Sequence, residues 1–401
     1  MPSSQPRLYD ALLAEHLAKN RQMAFVSGPR QVGKSTTCQH LADLQLNFDK
    51  AADRKVILEG EEAIKRALGN ARPPGRLPVV LFDELHKLPK WKNYLKGIFD
   101  GNEGAFRILV TGSSKLDAFR KAGDSLMGRY FTYRMHPLTV GELARPEAPA
   151  SAVIRQPKAI PPADFDALYA HGGFPEPYVR REAAFSEQWR EKRYDQVTQE
   201  DVRDLSKTAA FSQMQSLALL LTERSAQQLT LLSLAKTLQI SPHTVKAWMA
   251  VLSDLHWGFL LRPYHHSLAR SLRKEPKWHL RDWSGIDDPG AKAETFVACH
   301  LLKAVETWTD LGLGHHDLAY IRDKDGREVD FLILRKRKPW MLVEVKKSKE
   351  GFSPSLEYFH KLLKTEHALQ VVVDAPYDKA DCVVPQRPVL ASAKSFLSQL
   401  C

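Results

Sequence analysis

The sequence predicts an α/β protein in three parts, with two α/β units flanking a helical middle. Three observations carry that expectation. Near the N-terminus the apolar run Met23-Ala24-Phe25-Val26 leads directly into a glycine-rich loop and a helix-forming segment. From about residue 146 to 285 helical spacing dominates. After 286 a helical stretch gives way to two apolar runs separated by a basic turn, the pattern of a hairpin. The expected domains are therefore 1–145, 146–285 and 286–401.

A chain of 401 residues has material for two or three cored domains. It contains no apolar run of about 18 residues and no N-terminal signal pattern, which predicts a cytoplasmic protein with no membrane partner. Cys38, Cys299, Cys382 and Cys401 are scattered without C-x-x-C spacing, against zinc and against a disulfide framework. The formal charge of +11 points to a polyanionic partner, with DNA as the expectation and a solubilising surface as the alternative. The excess is local. Arg262, Arg270, Arg273, Lys274, Lys277 and Arg281 stand against one acid, Glu275, and Arg335 to Lys338 precede Lys346, Lys347 and Lys349.

In the first part a helix near Leu8–Lys19 precedes the strand at 23–26. Gly28-Pro29-Arg30-Gln31-Val32-Gly33-Lys34-Ser35 then fits G-x-x-x-x-G-K-[ST], the phosphate loop. Its glycines turn backbone N–H groups inward around phosphate oxygens, Lys34 reaches the β- and γ-phosphates, and Ser35, followed by Thr36, helps hold Mg²⁺. ATP and Mg²⁺ are the cofactors this implies. A helix is expected over Ser35–Leu44, a strand near Gln45–Asp49, a polar helix to about Leu68 and a turn at Arg72–Gly75. Pro78-Val79-Val80-Leu81-Phe82-Asp83-Glu84 is a buried parallel strand ending in two carboxylates. Asp83 suits the Mg²⁺ shell, and Glu84 suits orienting and deprotonating a water. A helix over Trp91–Phe99 and a strand ending in Thr111-Gly112-Ser113-Ser114 complete the unit.

Gly-Pro-Arg-Gln-x-Gly-Lys-Ser, Phe-Asp-Glu, Thr-Gly-Ser-Ser and Ser125-Leu126-Met127-Gly128-Arg129 occur in that order. The set resembles a bacterial and archaeal family of AAA-type ATPases whose C-terminal half is a domain of uncharacterised function. The resemblance implies that Thr111 or Ser113 senses the γ-phosphate, a plain strand-to-loop turn being the alternative. It also implies that Arg129 is an arginine finger or sensor, in cis or from a neighbouring subunit, with a surface ion pair as the alternative. Action in trans would require a homo-oligomer.

The middle part opens with a Pro- and Ala-rich linker from Arg145 to Pro162, a turn cluster at His171–Tyr178 and a long helical stretch around Arg203-Asp204-Leu205. This is the expected helical lid. Ser233–Leu252 has the form of a helix-turn-helix, with Ser241 as cap, Pro242 at the first helical position and Gln239 where glycine is usual. Leu255–Leu261 would supply wing strands, making a winged helix whose second helix offers His243, Thr244, Lys246 and Ala247 to a DNA groove. Packing or subunit contact is the alternative use.

In the last part, a turn centred near Arg337 would set Asp330 across from Glu344, with Lys346 on the same face. Asp, then Glu-x-Lys on the adjacent strand, resembles the PD-(D/E)XK nuclease core, and implies a restriction-endonuclease-like α/β fold. Glu294, on the preceding helix, occupies the place of the further acid in that core. Val329 departs from the proline usual before the Asp. The resemblance implies that Glu294, Asp330 and Glu344 hold Mg²⁺ for phosphodiester hydrolysis, with Lys346 beside the attacking water. The alternative is a hairpin without metal in which Glu328 pairs with Lys346. Together these readings predict an ATP-hydrolysing, DNA-binding protein with a nuclease domain, or an ATP-dependent switch or scaffold whose last domain only binds.

Overall fold

Short strands whose every residue is buried need cover on both faces, and parallel sheets supply it. β1 (Met23–Ser27) and β3 (Val79–Asp83) are of this kind. With β2 (Leu44–Asn47), β4 (Arg107–Thr111) and β5 (Tyr130–Arg134) they form a five-stranded parallel sheet in the order β2-β3-β4-β1-β5. The computed structural model that shows this describes residues 5–69, 73, 75–112, 126–201, 211–265, 275–348, 351–385 and 387–401. Ser113, Arg203-Asp204-Leu205, Arg270, Arg273, Lys274 and Lys349 lie outside the described residues.

The chain divides into two compact units, Met1–His136 with Pro146–Ala148, and Pro137–Arg145 with Pro149–Cys401. The first carries the parallel sheet and helices α1 (Leu8–Lys19), α2 (Lys34–Gln39), α3 (Ala51–Glu59), α4 (Glu61–Leu68) and α5 (Trp91–Gly101). Phe25, Phe82, Trp91, Leu95, Ile108 and Val110 are part of its core. Three details differ from expectation. The helix after the loop ends at Gln39, because Leu41 and Ala42 turn back on Cys38 and Gln39 before β2. The helix expected to run to Leu68 is broken at Gly60, whose φ of 85° ends α3 and starts α4. β5 is an unanticipated edge strand.

In the second unit, two helices (Leu231–Leu238 and Pro242–Asp254) meet at a turn, and β6 (Gly258–Leu261) pairs antiparallel with β7 (Lys277–Leu280). Gln239 takes φ 54°, the left-handed conformation that explains glycine's usual place there. Ser241 caps the second helix by accepting from the Thr244 N–H. The C-terminal sheet, in the order β12-β11-β10-β9-β8, comprises β8 (His316–Arg322), β9 (Glu328–Arg335), β10 (Lys338–Lys346), β11 (His367–Val372) and β12 (Pro388–Ser392). β8, β9 and β10 run antiparallel in turn, and β11 and β12 add in parallel.

The stretch read as a linker is tied to the C-terminus of the chain. The Arg155 N–H donates to Gln399 O at 3.0 Å and the Lys158 N–H to Ser398 Oγ at 3.1 Å. Residues 137–145 also belong to this unit, where Lys303 pairs with Glu142, both side chains fully buried. Among the described residues no helix is long and apolar enough to cross a membrane.

Candidate functional site

The loop after β1 needs two backbone conformations that side chains resist. Gly28 has φ 141°, and a Cβ there would stand 2.2 Å from Met135 O. Gly33, at φ 100°, is the left-handed residue from which α2 starts. Between them Pro29, Arg30, Gln31 and Val32 complete the curve, with Gln31 at φ 60°. Lys34, 9% exposed, donates to Gly28 O at 2.8 Å and Pro29 O at 2.6 Å, so its ammonium closes its own loop. Burial lowers its pKa to about 8, and the neighbouring Glu84 charge opposes that shift. Arg7 braces the loop from outside, donating to Val32 O at 2.6 Å and His136 O at 2.7 Å. No motif marked Arg7.

Strand order explains what surrounds Asp83. β4 lies between β1 and β3, so Thr111 is in register with both Val26 and Asp83, while β2 brings Asn47 alongside Asp83. The Asp83 carboxylate receives Thr111 Oγ1 at 2.6 Å, Asn47 Nδ2 at 3.2 Å and Ser35 Oγ at 3.4 Å. Thr111 is thus a positioning contact for Asp83. Asn47 was missed, although β2, like β3 and β4, ends on a polar residue. Glu84 is a non-glycine residue at φ 55°, its carboxylate 3.3 Å from Lys87 Nζ and 3.7 Å from His86 Nε2.

The loop and the acid beyond it have the donor set that Mg²⁺ with a triphosphate requires: a hydroxyl at Ser35, a fixed carboxylate at Asp83 and a lysine held by weak carbonyl acceptors. Thr36 follows Ser35 within α2. Arg129 is paired within the single chain. It forks onto Asp100, with Nε to Oδ1 at 2.8 Å and Nη2 to Oδ2 at 3.0 Å, the surface ion pair named as the alternative.

The acidic residues of the C-terminal sheet do converge, around a partner the sequence did not suggest. Lys277, in β7 and 4% exposed at its side chain, places Nζ 2.9 Å from Glu294 Oε1, 2.7 Å from Glu328 Oε1 and 3.6 Å from Asp330 Oδ1. Asp330 Oδ2 accepts the Val345 N–H at 2.9 Å, and Lys346 pairs with Glu344 at 3.4 Å. Burial, and then the Asp330 charge, raises the pKa of Glu294 and of Glu344, while burial raises that of Asp330.

A divalent ion does not fit this arrangement. Its ligands must be deprotonated, and an ammonium already stands among three of the acids. Of the residues expected to hold Mg²⁺, Glu294 and Asp330 face the buried Lys277 ammonium and Glu344 pairs with Lys346. The alternative pairing of Glu328 with Lys346 is also replaced, since Glu328 engages Lys277 and Arg322. Among the described residues, no group of three His, Cys, Asp or Glu side chains is arranged to take a metal.

Fold and loop define the first unit as a P-loop ATPase domain of the AAA type, and a family model described as an AAA domain matches residues 20–144. Two domains of unknown function, DUF8612 and DUF4143, match residues 162–286 and 289–385. Uncharacterised proteins from Mycobacterium bovis and Mycobacterium tuberculosis are each 22% identical over 343 residues, covering 79% of this chain and 69% of their own. Overlays on solved structures are loose. AMPPCP-bound DnaA from Aquifex aeolicus gives a TM-score of 0.28 at 11% identity, over 61% of this chain and 86% of that one. The Pyrococcus furiosus Hef helicase domain gives 0.19 at 12% identity, over 97% and 96%.

Proposed function

We propose that this chain binds and hydrolyses ATP with Mg²⁺, and that ATP state governs its contact with DNA. The observation that carries the proposal is the loop from Gly28 to Ser35 facing an Asp83 carboxylate fixed by Thr111 and Asn47. Lys34 would exchange its two carbonyl acceptors for phosphate oxygens, which carry more charge and accept better. Ser35 and Asp83 would hold the metal, which supplies neutralisation of the phosphate charge when bound. Glu84 would leave Lys87 to orient and deprotonate a water. With Arg129 held by Asp100 in the single chain, a role for it at a phosphate requires release of that pair, as an assembled homo-oligomer could bring about.

The helix Pro242–Asp254, with exposed His243, Lys246 and Ala247 and half-buried Thr244, is the proposed DNA-contacting element of a winged helix. For residues 286–401, the reading favoured is a nuclease-like domain that binds rather than cuts. Lys277 is the specific observation in its favour. The test of the ATPase is turnover with Glu84→Gln. ATP binding should persist while hydrolysis falls at least about 100-fold; undiminished turnover would remove Glu84 from the chemistry.

A further inference from the structure

Lys277 looks, in sequence, like one more residue of a basic surface cluster. In the fold it is delivered inward by backbone pairing. The segment following β6 is stitched to β8, with the Tyr264 N–H on Tyr320 O at 2.6 Å and the Tyr320 N–H on Arg262 O at 3.1 Å. β7 pairs with β6 in register, Lys277 against Leu261, at the end of the hairpin nearest that stitch. The lysine side chain is 4% exposed.

Its surroundings are acidic and already allocated. Glu328 also receives Gln228 Nε2 at 3.1 Å and pairs with Arg322 at 3.0 Å. Asp330 uses its second oxygen on the Val345 N–H. His279, from the same strand, lies 3.9 Å from Glu294 and is held neutral by burial. Glu344 Oε2 and His279 Nε2 are both buried without a hydrogen-bond partner among the described residues. Contacts of 2.7 and 2.9 Å are ammonium–carboxylate distances, longer than a magnesium–oxygen bond.

We propose that Lys277 is the resident cation of this acidic site: its ammonium replaces a divalent ion among Glu294, Glu328 and Asp330 and locks the β6–β7 hairpin to the C-terminal sheet. The negative charge of the cluster is thus met by the chain itself. Nothing in this inference depends on nucleotide, so it stands or falls apart from the ATPase reading.

The test is a Mn²⁺ titration of the full, nucleotide-free chain, followed by electron paramagnetic resonance and by the melting temperature. Wild type and Asp330→Asn should show the same background binding. Lys277→Met keeps an unbranched apolar side chain, one atom shorter, and removes the charge. It should take up one Mn²⁺ at least about tenfold more tightly than wild type and melt higher with Mn²⁺ than without. Lys277→Met with Asp330→Asn should lose both effects. Mn²⁺ uptake by wild type that Asp330→Asn abolishes would overturn the proposal, and so would a folded Lys277→Met that gains no Mn²⁺. If Lys277→Met does not fold, the comparison of wild type with Asp330→Asn still decides.

Discussion

Lys34 is the residue whose chemistry is most constrained. Its ammonium is buried, and its pKa falls to about 8 because desolvation outweighs the attraction of Glu84. A bound triphosphate would favour the charged form and restore the ordinary lysine range. The sign follows: above pH 8 the free protein lacks a proton that the complex holds, so binding takes one up, whereas well below pH 8 both forms are charged. Calorimetry of ATP binding at pH 8.5–9 in buffers of different ionisation enthalpy should show uptake approaching one proton, vanishing by pH 6.5. Lys34→Arg should show none at either pH. Lys34, Ser35, Asp83 and Glu84 were all legible, because a phosphate loop needs fixed residue types at fixed spacing. Arg7 and Asn47 were not, since each meets the site only through the order of strands and the docking of α1.

At the level of elements, the hairpin of β9 and β10 shows how a correct pairing can come from an approximate turn. The turn residues are Lys336 and Arg337, at φ 51° and 64°, so the hairpin begins by pairing Lys338 with Arg335. That register alone would miss Glu344 by one residue. A shift between Pro339 and Met341 inserts the missing residue, and Val343 meets Phe331, which sets Glu344 beside Asp330. The facing acids were legible from sequence; the lysine between them was not, because it arrives from β7 through a separate ladder. β5 was illegible for a different reason: only Tyr133 of its five residues is buried, so neither alternation nor an apolar run marks it. The turn at Gln239 gives an element-scale prediction. A left-handed backbone costs a side chain about 1 kcal/mol that glycine avoids. Gln239→Gly should therefore raise stability by about that amount in urea unfolding; no change or a loss would mean the glutamine side chain contributes there.

At the scale of the whole molecule, some of the basic residues described are buried or paired rather than free on the surface. Lys277 and Arg281 are buried, at 4% and 8% exposure, and Lys346 and Lys347 each meet a carboxylate. Arg335, Lys336, Arg337 and Lys338 remain exposed, as does Lys246 on the proposed DNA-contacting helix. Duplex binding, measured by fluorescence anisotropy, should weaken steadily as salt rises, because displaced counterions drive it. Lys246→Glu should weaken it by about tenfold at 0.1 M salt and flatten the slope. Equal affinity in wild type and variant would move the contact off that helix. The two α/β sheets were legible because patterning changes along the chain, whereas the expected three parts appear as two compact units. The division at His136, and the tie between residues 155–158 and the C-terminus, depend on contacts between distant segments that local pattern does not encode.

The claim beneath all of this is that the glycine loop, Lys34 and the Asp83 carboxylate form a site for ATP with Mg²⁺. Isothermal titration of the nucleotide-free chain with ATP and Mg²⁺, beside Lys34→Ala, tests it most directly. One binding event is expected in wild type, and a loss of at least about 100-fold in affinity in a folded Lys34→Ala. No heat with wild type, or equal binding by the two proteins, would contradict it.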